Sequence, residues 1–193
     1  MHTTESTQTP HRPQIEKFTE TSCSGIQTRN LSRCVVGYIL HGEKYVYYDD
    51  QCFKFSAGDL FFFSMGCHYT KNVPEKDHPY EQIVFYYSSE ELQRILLSLN
   101  MSCGIDITDD HRCEECSELK HASMAAWSGI RNFFRYADAC LREEASPYDP
   151  TLESFRMTEL LYRIVSHENC CLKSMLLGNI DTARDNIRQI VHT

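Results

Sequence analysis

Clusters of lysine and arginine are missing from this 193-residue chain, whose formal net charge is −8. A free-standing DNA or RNA binder usually carries a basic surface, because phosphate contacts supply much of its affinity. The chain by itself is therefore expected to bind little nucleic acid. No apolar run approaches the roughly 20 residues needed to span a bilayer, and the polar stretch Met1–Lys17 has no apolar core of a secretory signal. These absences predict a cytoplasmic protein with no membrane contact. In a reducing compartment structural disulfides are disfavoured, so the ten cysteines read mostly as buried thiols acting as small hydrophobes. No internal repeat is present, and no low-complexity tract beyond the polar start.

What is present suffices for one medium domain, or for a barrel with a helical appendage: 41% of residues are hydrophobic and 11% aromatic. Residues 1–21 read as a flexible tail or a loosely attached first strand, with only Ile15 and Phe18 as large apolar groups. From about Ser22 to Tyr87 short β-branched and aromatic runs alternate with turn signals, as in an all-β sandwich or barrel. The runs are Arg33–Leu40, Glu43–Tyr48, Gln51–Phe55, Leu60–Ser64, His68–Val73 and Tyr80–Tyr87. Leu60–Phe63, apolar on both faces, is expected to be central.

After Tyr87 the period becomes helical. Ser88 and Glu91 form a capping-box pattern, followed by a stripe of Leu92, Ile95, Leu96 and Leu99. A polar, cysteine-bearing loop, Asn100 to about Ser117, precedes a long helix placed from about His121 to Arg142, with Met124, Trp127, Ile130, Phe134, Ala137 and Leu141 on one face. Asp149-Pro150 suits an N-cap and first helical position, opening a helix with Met157, Leu160, Leu161, Ile164 and Val165 on one side. A short apolar stretch, Cys171–Leu177, ends at Gly178-Asn179. Asp181 opens a last helix with no Gly, Asn or Pro stop before Thr193, and that helix is expected to run on into a further domain.

The most informative stretch is Ala57–Asn72: a Gly-Asp turn, a buried strand, a Gly turn, then a strand that begins near His68. It resembles the second sequence motif of cupins, matched at Gly58, Gly66, His68 and Asn72. Ser64 stands where the usual Pro would be, and one residue is missing between Gly66 and His68. Gly37–Glu43 is similar to the strand and tight turn at the sensor barrel of AraC-type transcription regulators. The series Trp127–Leu141, Thr158–Ile164 and Asp181–Val191 is similar to their helical linker. The resemblance covers roughly residues 30–193 and no DNA-reading residue.

The resemblance implies an α+β architecture: a cupin-like (jelly-roll) antiparallel β-barrel at 22–88, then a helical dimerisation segment at 89–193. It implies a bacterial regulatory domain in which a signal, a small molecule in the barrel or a protein on its surface, biases a homodimer. DNA would be reached only through a C-terminal domain outside this sequence. Candidate ligand-binding residues, chosen as bulky or polar groups on barrel strands, are His41, Tyr45, Tyr47, Phe61, Phe63, His68 and Phe85. A register error of one residue would turn half of them outward. Candidate dimer-interface residues are Met124, Trp127, Ile130, Phe134, Leu141, Leu160, Leu161 and Ile164.

Two rival readings are a small cupin-fold metal-binding protein or enzyme, and a stand-alone interaction module with a filled barrel. Metal-dependent cupins carry two His separated by one residue, followed by a Glu. No His-x-His occurs here, and His41 and His68 alone make a poor site, so no catalytic metal, cofactor or enzymatic activity is expected. His68 reads more simply as a hydrogen-bonded turn residue. A second cluster, Cys103, His111, Cys113, Cys116 and His121, contains one C-x-x-C pair, half of a zinc knuckle. The simpler reading is a polar loop with partly buried thiols, and redox sensing by the pair is no better supported.

Overall fold

Each β-branched or aromatic run becomes a strand, and each turn signal a reversal. The computed structural model describes residues 14–23, 25–107, 120–142, 149–167 and 171–179. Its strands are β1 (Ile15–Glu20), β2 (Gln27–Leu31), β3 (Cys34–His41), β4 (Glu43–Tyr48), β5 (Gln51–Ser56), β6 (Asp59–Phe63), β7 (Gly66–Val73), β8 (Tyr80–Tyr87) and β9 (His121–Ala125). They form two antiparallel sheets, one of five strands in the order β1-β8-β3-β6-β9 and one of four in the order β2-β7-β4-β5. The expected closed barrel is thus corrected: β1 and β9 bound one sheet, β2 and β5 the other, and no backbone ladder joins them among the described residues.

Of the two readings of the chain's start, the strand is the one seen for Ile15–Glu20. β1 pairs with β8 from Ile15 opposite Phe85 to Glu20 opposite Tyr80. A second correction concerns the helix placed from about His121. Residues His121–Ala125 instead form β9, paired with β6 from Phe63 opposite His121 to Asp59 opposite Ala125, and the helix begins at Ser128. His-Ala-Ser-Met-Ala has little β propensity of its own. The open backbone row of β6 supplies the template that the local sequence lacks.

The described residues also form four helices. In α1 (Ser89–Cys103) the capping box forms as read: the Ser88 side chain accepts from the Glu91 N–H, and the Glu91 carboxylate accepts from the Ser88 backbone N–H. α2 is Ser128–Arg142. α3 (Pro150–Val165) starts from Asp149, whose carboxylate accepts from the N–H groups of Thr151 and Leu152. The apolar stretch after it is helical over residues 171–179, here α4. The helix expected from Asp181 lies outside the described residues. No helix among those described is long and apolar enough to cross a membrane.

The five-stranded sheet is the middle layer of three. One face, with Val36, Tyr38, Leu60, Phe62, Ile83, Phe85 and Tyr87, packs on the helices in the larger core. The other, with Val35, Ile39, Phe61, Phe63 and Val84, meets Val46 and Phe55 of the second sheet. β6 is buried on both faces, as a central strand should be. Polar ties bind the middle layer to the helices. Lys17 on β1 donates to Asp138 on α2 at 2.8 Å and pairs with Glu81 on β8 at 3.0 Å, and the Tyr87 hydroxyl donates to the Met157 carbonyl of α3 at 2.9 Å.

A candidate binding cavity between the sheets

Side chains alternate along a strand, and on β4 that alternation buries Lys44 and Val46 between the sheets. Lys44 faces a cavity of about 80 Å³ at the β1 and β2 side of the sandwich. Apolar walls come from Phe18, Leu31, Val35, Phe61, Phe63 and Val84, and polar groups from Glu20, Arg29, Lys44, His68, Asn72 and Gln82. Four of the polar groups form a chain. Asn72, directly across the ladder from Lys44, accepts from the Lys44 ammonium through Oδ1 at 2.7 Å and donates through Nδ2 to Glu20 Oε1 at 3.0 Å. Glu20 in turn lies 3.7 Å from the Arg29 guanidinium.

Lys44 is only 4% exposed. Its Nζ lies 5.7 Å from the Phe61 ring centre and 5.4 Å from that of Tyr80. Burial, reinforced by the nearby Arg29 charge, pushes its pKa down to about 7, and Glu20 only partly opposes this. His68 is buried on β7 and donates from Nε2 to the Ser64 carbonyl at 2.7 Å. Burial holds it below the usual histidine range, so it is neutral at pH 7.

Of the residues expected to bind a ligand, Phe61, Phe63 and His68 line this cavity. Four do not line it. Tyr45 and Tyr47 alternate with Lys44 and Val46 and lie on the opposite face of β4, the Tyr45 hydroxyl donating to Glu43 Oε2 at 2.7 Å. Phe85 points to the helical side, its ring 5.6 Å from Phe133 and 5.7 Å from Phe134. His41, at the end of β3, stacks on His78 at 5.2 Å. Sequence reasoning missed Lys44, Glu20, Arg29 and Gln82 as site residues. It quoted Asn72 only as part of a motif.

The cysteine cluster is not assembled by the described residues. Cys103 is exposed at the end of α1, while His111, Cys113 and Cys116 lie outside the described residues. His121 is buried in an aromatic cage, 4.7 Å from the Phe53 ring and 6.0 Å from Phe55, and its Nε2 has no hydrogen-bond partner among the described residues. Burial, with the nearby His68, pushes its pKa down to about 4. As pH falls from the ordinary histidine value of 6.5, the unfolded chain takes up a proton that the fold refuses, so stability is lost between pH 6.5 and 4. The expected loss by pH 4.5 is about 2–3 kcal/mol. Urea melts at pH 7 and 4.5 should show a smaller acid loss in His121→Phe than in the wild type; equal losses would reject this account.

Solved structures share this three-layer fold. The apo ToxT K231A structure from Vibrio cholerae matches with a TM-score of 0.54 at 7% identity, over 81% of this chain and 57% of that one. The AraC-like transcriptional activator CuxR matches with a TM-score of 0.52 at 10% identity, over 80% of this chain and 52% of that one. At such identities the likeness shows the fold, and the chain spans little more than half the length of those regulators. No curated protein sequence matches the chain. The family is given by sequence: the model of the ExsA N-terminal regulatory domain matches residues 34–174. The chain belongs to that family and is a regulatory domain of the AraC type.

Proposed function

We propose that this domain senses a small-molecule effector in the cavity between its sheets and passes the signal to a dimer formed by its helices, and so to a DNA-binding domain beyond it. The observation that carries this reading is the middle sheet, which presents one face to the cavity and the other to the helices. A ligand biases a regulator only if it binds two arrangements with different affinity, and a shared sheet is the element both sites press on. A protein effector on the outer surface is the second form of signal. The domain works in the cytoplasm without catalysis, and DNA is reached only through paired helix-turn-helix motifs beyond Thr193.

The strand orders support a finer fold assignment, a cupin-like jelly roll: in each sheet, strands distant in sequence lie side by side, β1 next to β8 and β2 next to β7. A working division at about residue 88, with β1 counted in the sheet part and β9 as its late addition, separates the sensing part from the helical part.

Dimerisation through α2 and α3 needs a surface other than the one first expected. Ile130, Phe134, Leu160, Leu161 and Ile164 are wholly buried within one protomer. Met124, on β9, and Trp127 and Leu141 are half-buried and pack on the same core. The opposite side of α3 offers Leu152, Phe155 and Tyr162, with Tyr136 of α2 beside it under the Arg156 guanidinium. Phe155, 69% exposed, is the most prominent. A two-fold interface introduces each substitution twice, so Phe155→Glu should weaken dimerisation at least about 30-fold, the worth of one aromatic anchor. Light scattering of the chain, with folding checked by circular dichroism, tests this. A wild type that stays monomeric at high concentration, or a folded variant that stays dimeric, overturns it. Fused ahead of a DNA-binding domain that represses only when paired, the wild-type chain should restore repression and the variant should not.

A further inference from the structure

We propose that the cavity takes a small organic monoanion, a short-chain carboxylate, whose charge is met by the ammonium of Lys44. The proposal rests on the reading of the cavity as the effector site and names the chemistry of that effector.

The charges around the cavity do not cancel. Two cations, Arg29 and Lys44, face one carboxylate, Glu20. Glu20 is held by Arg29 and by the Asn72 amide, and among the described residues no carboxylate comes within ion-pair distance of Lys44. Of the ammonium's three protons, one goes to Asn72 Oδ1. The other titratable groups facing this space add no charge near neutral pH. His68 is kept neutral by burial, and the phenols of Tyr80 and Tyr86 on β8 are pushed well above their ordinary range by the same cause. A buried cation without a counter-charge is a costly arrangement, and one negative charge brought by a ligand relieves it.

Shape limits what carries that charge. A volume of about 80 Å³ holds about five water-sized spheres, room for a ligand of a few heavy atoms. Phe18, Leu31, Phe63 and Val84 supply apolar walls, which suit a short hydrocarbon body. A lining that combines this polar chain with apolar walls matches a molecule with a charged head and a small apolar body.

Binding should therefore be coupled to proton uptake. With Lys44 titrating at about 7 in the empty cavity, above that pH the amine is largely neutral and must gain a proton when the carboxylate arrives. Affinity then falls about tenfold per pH unit above neutrality, while the carboxylate itself stays ionised throughout.

The test is titration calorimetry on the whole chain with acetate, propionate, butyrate and benzoate, each beside its primary amide, at pH 6, 7, 8 and 9 in buffers of different ionisation enthalpy. At least one acid should bind 30-fold or more tightly than its amide, with close to one proton taken up at pH 8 to 9 and almost none at pH 6. Lys44→Met should lose acid binding while remaining folded. Acids and amides binding equally would overturn the anion proposal and leave the cavity reading standing. Binding by neither would overturn both. Tightest binding by octanoate would refute the size limit, and tighter binding of inorganic phosphate than of any acid would refute the single charge.

Discussion

Lys44→Met should raise the stability of the ligand-free domain at pH 7, and the gain should shrink as pH rises. Lys44 titrates at about 7 in the fold against an ordinary value of 10.5. Between those values the unfolded chain holds a proton that the folded chain does not, so wild-type stability climbs with pH across that window and the penalty is full below it. At about 1.4 kcal/mol per unit the penalty is on the order of 4 kcal/mol. Methionine keeps most of the volume and removes the charge, but leaves Asn72 Oδ1 without its donor, which costs about 1–2 kcal/mol. The net gain is about 2 kcal/mol, or about 4–8 °C in Tm for a domain of this size. Thermal melts of both proteins at pH 7 and 10 decide the matter. A variant less stable than wild type at pH 7, or a gap that does not narrow by pH 10, would falsify the account.

The second large effect is expected at Gly37. A Cβ built there would lie 2.1 Å from Phe61 Cζ and 2.6 and 2.7 Å from the two Cε atoms, because Gly37 and Phe61 are partners across the β3–β6 ladder and share the inter-sheet face. The Phe61 ring is fully buried and borders the cavity. Gly37→Ala must therefore displace the ring from its packing against Phe55 and Phe63. Overpacking of this kind costs about 2–3 kcal/mol, which lowers Tm by about 5–10 °C. Phe61→Leu in the same chain should recover part of the loss, since the two positions are in contact and their effects should not add. Strictly additive urea melts would show that the clash is not with Phe61.

Where the sequence was legible, the signal was local. Turn residues bracketed the strands, Ser88 and Glu91 marked the start of α1, and Asp149-Pro150 marked that of α3. Inward and outward faces were harder. On β4 the bulky Tyr45 and Tyr47 were chosen as ligand candidates and Lys44 was passed over, since charged side chains are rarely buried. The structure reverses this, placing an amine where the aromatic pattern called for a hydrophobe. The helical stripes misled for another reason. Ile130, Phe134, Leu160 and Leu161 looked like more apolar surface than one barrel face could cover, but all four are buried in one core that the sheet and the packed helices build together. β9 itself left no trace in local composition. Its cause is the unpaired edge of a strand some sixty residues earlier in the chain.

Neighbours in the chain on the middle sheet live on opposite sides of a wall: Val35 and Val36, Phe61 and Phe62, Val84 and Phe85. On the helix side that wall has no slack layer behind it, since that face is packed. In genetic terms, a lesion on the cavity side has its natural suppressors one codon away, on the helix side. Lineages of such a domain are then free to exchange the chemistry of their effector only in step with the packing of their helices. The two traits are inherited together because they are two faces of the same three strands.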